Sequence, residues 1–157
     1  MERNIGVAGK ETLVSMSGIE FLKAMIAGEV PAPPMAGFMA LTLVEAEVGR
    51  TVFEGIPTND HRNPMGTTHG GWFGAILDSA LGCAVMSRLP AGTGYTTLEY
   101  KVNLIRGIPP GTRVRAIATA DHVGRSTGVA SADLIGVEDG RLYGQASTTC
   151  LVMKIAI

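Results

Sequence analysis

The sequence has little of what marks a secreted, nucleic-acid-binding or membrane-spanning protein. Two cysteines among 157 residues cannot form a disulfide framework, so we expect a reducing compartment, the cytoplasm. Thirteen basic and 14 acidic side chains leave a net charge of -1, which offers no basic field to attract nucleic acid. The N-terminal residues lack the apolar stretch of a signal peptide. The one long apolar run, residues 71–87, contains glycines and a central charge, so we expect no membrane span.

Motifs of familiar enzyme classes are missing or misplaced. Gly124–Gly128 spells the G-x-S-x-G pattern of serine hydrolases, but it joins two predicted strands and no histidine follows His122. The three histidines lack metal-ligand spacing, and neither HExxH, CxxC nor a glycine-rich nucleotide-binding motif occurs. We therefore expect no metal and no redox or nucleotide cofactor.

The pattern that is present predicts one short helix, two strands, one long helix and four strands. Ser17 and Glu20 suit a capping box before a helix that Gly28 ends, and the proline-rich residues 30–37 form a connector. The long helix is predicted over residues 70–88. Strands are predicted over residues 38–48, 51–56, 96–106, 112–123, 126–138 and 141–154.

The long helix is apolar on every side, so other elements must cover it completely. The remaining elements are antiparallel strands, and Asp139-Gly140 predicts a type I′ hairpin turn between the last two. An antiparallel sheet wrapped around one central helix is an α+β fold of the hot-dog type. We expect a single domain over residues 1–157, with an N-terminal helix and connector over 1–34 and a core over 35–157.

Asp78 is the only charged side chain between Gly71 and Ser87. Gly74 and Gly82 lie one turn before and one turn after it, so Asp78 lies on a strip that lacks side chains. Such a strip admits another backbone or forms a groove for a ligand. The acid is then either a structural group bonded to nearby Ser or Thr side chains, or a catalytic carboxylate in surroundings of low dielectric.

The start of the long helix offers a complementary group. Gly70 and Gly71 leave the first backbone N–H groups uncovered, which suits an oxyanion hole. Eight residues separate Gly70 from Asp78, about 12 Å along a helix, which is too far for both to act on one atom within one chain. A two-fold dimer that brings one helix start near the middle of another helix would resolve this.

The stretch NPMGTTHGG, residues 63–71, followed by Asp78 seven residues on, resembles the hot-dog acyl-CoA thioesterases of the PaaI-like, phenylacetate-degradation type. The resemblance covers the chain from about residue 35. It implies hydrolysis of acyl-CoA thioesters to a free carboxylic acid and CoA, with CoA entering only as part of the substrate. It also implies a homodimer, and a tetramer built as a dimer of dimers.

The resemblance further implies a role for each site residue. Asp78 matches the acid that acts as nucleophile or general base, and Thr96 matches the hydroxyl that holds water beside it, with Thr97 as the alternative. The other subunit would supply the groups around the thioester. Among these, Gly70 would polarise the carbonyl through its N–H. Asn63 would lie near the same carbonyl, and His69 near the sulfur, where it would support the loop.

The CoA phosphates require cations and donors. Arg125 and Ser126, at a predicted hairpin turn, are the preferred candidates, with Arg106 and Gly71 as further contacts. The alternative for each charge is an ordinary solvated strand end. For the acyl group, Trp72, Phe73, Met86 and the N-terminal helix are candidates, although core packing explains them equally well.

Two other functions fit parts of the pattern. A non-catalytic acyl-CoA-binding or regulatory hot-dog domain would need the groove but not the acid. A hot-dog dehydratase or hydratase would use a histidine with an acid in another arrangement, which His69 at a helix start matches poorly. The combination of Asp78 with Asn63 and Gly70 favours the thioesterase.

Overall fold

The strands of the computed structural model, which describes residues 4–156, form one six-stranded antiparallel sheet. They run in the order β1-β2-β4-β5-β6-β3, so β1 and β3 are its two edges. In chain order the strands are β1 (Leu41–Glu47), β2 (Arg50–Gly55), β3 (Thr93–Leu104), β4 (Val114–Val123), β5 (Thr127–Gly136) and β6 (Leu142–Lys154).

Within residues 4–156, four α-helices accompany the sheet, and the longest packs against the strands on one side of it. They are α1 (Lys10–Ser15), α2 (Gly18–Ala27), α3 (Pro34–Phe38) and α4 (Gly70–Met86). Helix α4 contacts all six strands, and its large apolar side chains are buried among them. The predicted α+β hot-dog fold is confirmed. Within residues 4–156, no helix combines the length and hydropathy that crossing a bilayer requires.

Helix α2 forms where the sequence predicts it. The Glu20 carboxylate accepts hydrogen bonds from the backbone N–H and the hydroxyl of Ser17, at 2.8 and 2.7 Å. These bonds lower the pKa of Glu20. The helix ends at Gly28, whose φ of 79° is the left-handed conformation that favours glycine.

Helix α2 is docked on the end of α4. The N–H of Gly18 donates to the carbonyl of Leu89 at 2.9 Å, and a Cβ at Gly18 would collide with the Met86 carbonyl oxygen. The N-terminal segment is therefore packed against the core rather than trailing from it.

The connector differs from the prediction. The prolines predict no helix within residues 30–37, but the short helix α3 begins at Pro34. Proline is favoured in the first turn of a helix, where its missing N–H would have no partner anyway. Helix α1 is also absent from the predicted elements, and its side chains are not buried.

The type I′ turn predicted at Asp139-Gly140 is wrong. Gly140 has a φ of 64°, but Asp139 does not have the positive φ that this turn also requires. The carboxylate of Asp139 instead accepts bonds from the Arg141 N–H and the Tyr143 hydroxyl, at 3.0 and 2.8 Å. These bonds lower the pKa of Asp139, and the loop between β5 and β6 is wider than a two-residue turn.

Candidate active site

A β-bulge in β3 determines which of its side chains face α4. The pairing of β3 with β6 shifts between Thr97 and Glu99, so the alternation of faces changes phase at Leu98. Before the bulge, Tyr95 and Thr97 reach α4, and after it Tyr100 does so. Regular alternation would have placed Thr97 and Tyr100 on opposite faces of the strand.

The glycines of α4 make room for these side chains. Three of the four lie against one residue of β3 each, so a Cβ at that glycine would meet the opposing side chain within about 3 Å. The pairs are Gly82 with Tyr95, Gly74 with Tyr100, and Gly70 with Leu104. The strip that lacks side chains therefore receives a neighbouring strand along most of its length, and Asp78 lies in the middle of this contact.

The hydroxyl that contacts Asp78 belongs to Thr97. Its Oγ1 donates to Oδ1 of the partly buried Asp78 at 3.0 Å. Thr96 is exposed and makes no such bond. The hydroxyl expected beside Asp78 is that of Thr96, with Thr97 as the alternative. The structure has Thr97 there, because adjacent residues of a strand point to opposite faces.

Among the ionisable side chains close to Asp78, Cys83 and Tyr95 are held in their neutral forms. Burial, with a smaller contribution from the charge of Asp78, raises the pKa of the Cys83 thiol to about 12. Burial also raises the pKa of the Tyr95 phenol well above its usual range, and the neighbouring Cys83 and Asp78 add to the shift. Neither becomes an anion near neutral pH, so a nucleophile or base in this part of the molecule must be the carboxylate.

A cavity of about 420 Å³ opens beside Asp78. Helix α4 forms its floor, residues of β1, β2 and β3 form its sides, and α2 and α3 cover it. Of the residues suggested for an acyl pocket, Trp72 and Phe73 lie in the core, and Met86 packs beside α2. The N-terminal helix does line the cavity.

The start of α4 is capped by its own preceding residue. Nδ1 of His69 accepts a hydrogen bond from the Gly71 N–H at 2.9 Å, so the ring proton is assigned to Nε2. The Gly71 N–H is thus occupied and does not serve as the substrate contact expected of it. Among the residues that the structure describes, no acceptor takes the Gly70 N–H. Gly70 and His69 Nε2 are the two donors that remain at this helix end.

Asn63 organises the loop that leads into α4. Its side-chain oxygen accepts bonds from the N–H groups of Met65 and Thr67, at 2.9 and 3.2 Å. Its amide group donates to the Thr67 hydroxyl at 2.9 Å. This is an Asx turn, and it uses one of the two amide hydrogens. Asn63 therefore shapes the loop and keeps one donor for a ligand.

The candidate phosphate contacts do not meet within one chain. The β6 residue that pairs with Thr96 also pairs with the residue after Ser126, so Arg125 and Ser126 lie level with the first half of β3. Arg106 follows the other end of β3, where its N–H donates to the Tyr143 carbonyl at 3.1 Å. Within residues 4–156, no three His, Cys, Asp or Glu side chains are grouped so that they could hold a metal ion.

Sequence reasoning misses the two tyrosines and the part that α3 takes in covering the cavity. By strand periodicity alone, Tyr95 and Tyr100 are ordinary strand residues. The glycines of α4 are the signal that could identify them, because a glycine in a buried helix indicates that a large side chain packs against it. Met35 lies over the cavity although it is distant in sequence from Asp78, and no local pattern of the sequence indicates that position.

Comparisons with known proteins agree with this architecture. The thioesterase superfamily matches residues 65–142. A putative thioesterase and phenylacetic acid degradation-related protein from Ralstonia eutropha JMP134 is 27% identical, with a TM-score of 0.76 over 83% of this chain and 98% of that chain. No functionally curated protein matches at a significant level.

Two further solved structures share the fold. A point mutant of the phenylacetic acid degradation protein PaaI from Thermus thermophilus is 26% identical, with a TM-score of 0.69 over 75% of this chain and 97% of that chain. The E. coli PaaI protein from the phenylacetic acid degradation operon is 18% identical, with a TM-score of 0.75 over 92% of this chain and 96% of that chain. At that identity the E. coli protein supports the fold alone.

Proposed function

We propose that this chain is a thioesterase of the superfamily that its central residues match, and that it hydrolyses acyl-CoA thioesters to a free carboxylic acid and CoA. The observation that carries this proposal is the carboxylate of Asp78 at the floor of a largely apolar cavity, with Thr97 bonded to one of its oxygens. The other oxygen is left for a water molecule or a carbonyl carbon. A purely structural acid would not need a cavity beside it.

The chemistry follows from the groups present. In one route Asp78 takes a proton from water, and the water oxygen bonds to the thioester carbonyl carbon. The Gly70 N–H stabilises the resulting oxyanion, the C–S bond breaks, and the CoA thiolate leaves and takes up a proton. In the other route Asp78 itself attacks, which forms an anhydride that water then hydrolyses. Only the second route transiently attaches the acyl mass to Asp78 in a single turnover, and rapid-quench mass spectrometry distinguishes the two.

The proposed site needs two protomers, because Gly70 and Asp78 are about two helical turns apart on one rigid helix. Strand β3 supplies a surface for pairing. It is an edge strand of 12 residues, so one side of its backbone lacks a neighbouring strand within residues 4–156. Its bulge residue Leu98 is 59% exposed, and such an edge is a template for pairing with another chain.

The register of this pairing follows from the site. Two β3 strands that pair antiparallel about a two-fold axis at Lys101, with the bulge residue Leu98 left unpaired, place Leu104 of one protomer opposite Thr97 of its partner. Leu104 lies against Gly70, so the helix start of one protomer then approaches the carboxylate of the other.

The same pairing accounts for the separated phosphate contacts. It brings Arg106 of one protomer level with Arg125 and Ser126 of its partner, which offers a shared cationic surface to the CoA phosphates. A tetramer made from two such dimers remains a prediction.

The test is the release of free thiol from acetyl-, octanoyl- and phenylacetyl-CoA by the native protein and by Asp78→Asn. Asparagine has the same shape and still accepts the bond from Thr97, so the variant should fold. We expect kcat to fall by about a hundred- to ten-thousand-fold, the usual contribution of general acid–base catalysis. Unchanged hydrolysis would contradict the role of Asp78. Binding of all three esters without hydrolysis would instead identify a non-catalytic acyl-CoA-binding domain.

A further inference from the structure

The cavity beside Asp78 indicates which acyl group the site takes. We propose that the N-terminal segment, residues 4–38, turns this cavity into a channel for an unbranched aliphatic acyl chain of medium length rather than for an aryl group. The inference rests on the proposed thioester hydrolysis, and it names the substrate class of that same site.

The cover of the cavity, formed by α2 and α3, is apolar and partly solvent-exposed. Met25 and Ile26 of α2 and Met35 of α3 line it, and Met35 is 52% exposed. Exposed apolar side chains that converge on one cavity are typical of a binding surface. The match to the thioesterase superfamily covers residues 65–142 and therefore excludes this cover.

The cover is held in place before any ligand binds. Besides the docking of Gly18 on α4, the side chain of Asn4 donates to the Gly28 carbonyl at 3.1 Å. The N–H of Ala32 donates to the Asn4 carbonyl, and the N–H of Gly6 donates to the Ala32 carbonyl, both at 2.9 Å. A preformed wall reduces the entropy cost of ordering that binding would otherwise incur.

The lining suits a flexible chain better than a hydroxylated ring. Two of its polar side chains already have protein partners, because Asn4 donates to Gly28 and Ser79 donates to the Ala75 carbonyl at 2.7 Å. A buried phenol would therefore compete for occupied groups, at a cost in free energy. Methionine side chains such as Met25 and Met35 are unbranched and adaptable, and they follow the contour of an alkyl chain.

The cavity size sets the length of the chain. At about 30 Å³ for a methylene-sized group, similar to the share of a water molecule in the liquid, the cavity of about 420 Å³ holds up to roughly a dozen such groups. An octanoyl or decanoyl group fills most of it. A phenylacetyl group has eight carbons, as many as an octanoyl group, but its rigid planar ring cannot bend to follow the lining and forfeits contacts that a flexible chain makes.

The first experiment compares kcat/KM for butanoyl-, octanoyl-, decanoyl- and phenylacetyl-CoA. We expect kcat/KM to rise from butanoyl to decanoyl by about two- to fourfold per methylene, since burial of one methylene contributes about 0.8 kcal/mol. We also expect both longer chains to exceed phenylacetyl-CoA. A flat profile across chain length, or a preference for phenylacetyl-CoA over octanoyl- and decanoyl-CoA, would overturn the inference.

The second experiment locates the selectivity on the cover. Met35→Ala should reduce the ratio of kcat/KM for decanoyl-CoA to that for butanoyl-CoA at least threefold. Met153→Ala is the matched control, because Met153 is also solvent-accessible, at 41%, and lies outside the cavity. Its ratio should equal that of the native protein. An unchanged ratio in Met35→Ala would contradict the assignment.

A binding measurement separates this inference from the proposed reaction. The Asp78→Asn protein should bind decanoyl-CoA more tightly than butanoyl-CoA in calorimetry, and Met35→Ala added to that background should reduce the difference. If the native protein hydrolyses no CoA ester but this difference is found, the proposed function fails and the channel stands. If hydrolysis is found and both esters bind equally, the channel fails and the proposed function stands.

Discussion

The Thr97 hydroxyl decides between a structural and a catalytic Asp78. A bond that only stabilises the fold contributes about 0.5–1.5 kcal/mol, and its loss leaves kcat unchanged. A bond that positions the carboxylate also affects the rate. We expect Thr97→Val to lower kcat at least tenfold while KM and the free energy of unfolding change little.

Thr96→Val is the control for this prediction, since Thr96 is the adjacent threonine and points away from Asp78. Steady-state kinetics and urea unfolding on both variants provide the comparison. A loss of rate in Thr96→Val with none in Thr97→Val would restore the pairing that the family resemblance implies.

The partly buried Cys83 thiol makes the stability of the fold depend on alkaline pH. Its pKa is raised from 9.0 to about 12, so above pH 9 the folded state holds a proton that the unfolded state has lost. Stability therefore falls as pH rises from about 9 towards 12, by at most about 1.4 kcal/mol per pH unit for this group. Between pH 8 and pH 10, the free energy of unfolding in urea should fall further for the native protein than for Cys83→Ala. Equal losses in the two proteins would contradict the burial of the thiol.

Helix α4 and strand β3 fit together through the glycines of the helix. Alanine normally stabilises a helix interior by about 1 kcal/mol relative to glycine. At Gly82 a Cβ would overlap the partly buried ring and hydroxyl of Tyr95, so we expect Gly82→Ala to destabilise the protein by about 1–3 kcal/mol.

Gly74 provides the matched comparison on the same face of α4. A Cβ there would lie 3.0 Å from the hydroxyl of Tyr100, the far end of a long side chain that has to shift by only a few tenths of an ångström. Gly74→Ala should therefore be nearly neutral in thermal or urea unfolding. Equal effects of the two substitutions would show that the glycines do not act through their β3 partners.

The elements with strong periodicity could be predicted from the sequence. The side chains of β3 that face α4 could not. The long helix, the six strands and the α2 cap follow from apolar spacing and capping residues, and the structure has them within a few residues. The bulge at Leu98 leaves no mark in the sequence, because the apolar residues on either side of it alternate regularly. That single inserted residue is why Thr97 faces Asp78.

At the scale of the whole molecule, the site could be predicted only in part. Asp78 and the helix start stand out because a lone charge and a pair of glycines are conspicuous in an apolar segment. The occupation of the Gly71 N–H by His69 depends on a rotamer, and the placing of Met35 over the cavity depends on long-range packing. Neither is encoded in local spacing.

The central claim is that Asp78 of one protomer acts on a thioester held at the helix start of its partner. We expect His69→Ala, which removes the cap and the Nε2 donor at the helix start, to lose activity as Asp78→Asn does. Complementation between these two variants tests the claim most directly. The two chains, carrying different tags, are co-expressed, and the heterodimer is isolated through both tags. Its thiol release from octanoyl-CoA is compared with that of each homodimer. A shared site gives the heterodimer one intact site and one doubly altered site, so we predict about half of the native activity per dimer. If each site lies within one chain, both sites of the heterodimer carry a lesion, and activity no higher than that of the two homodimers would contradict the account.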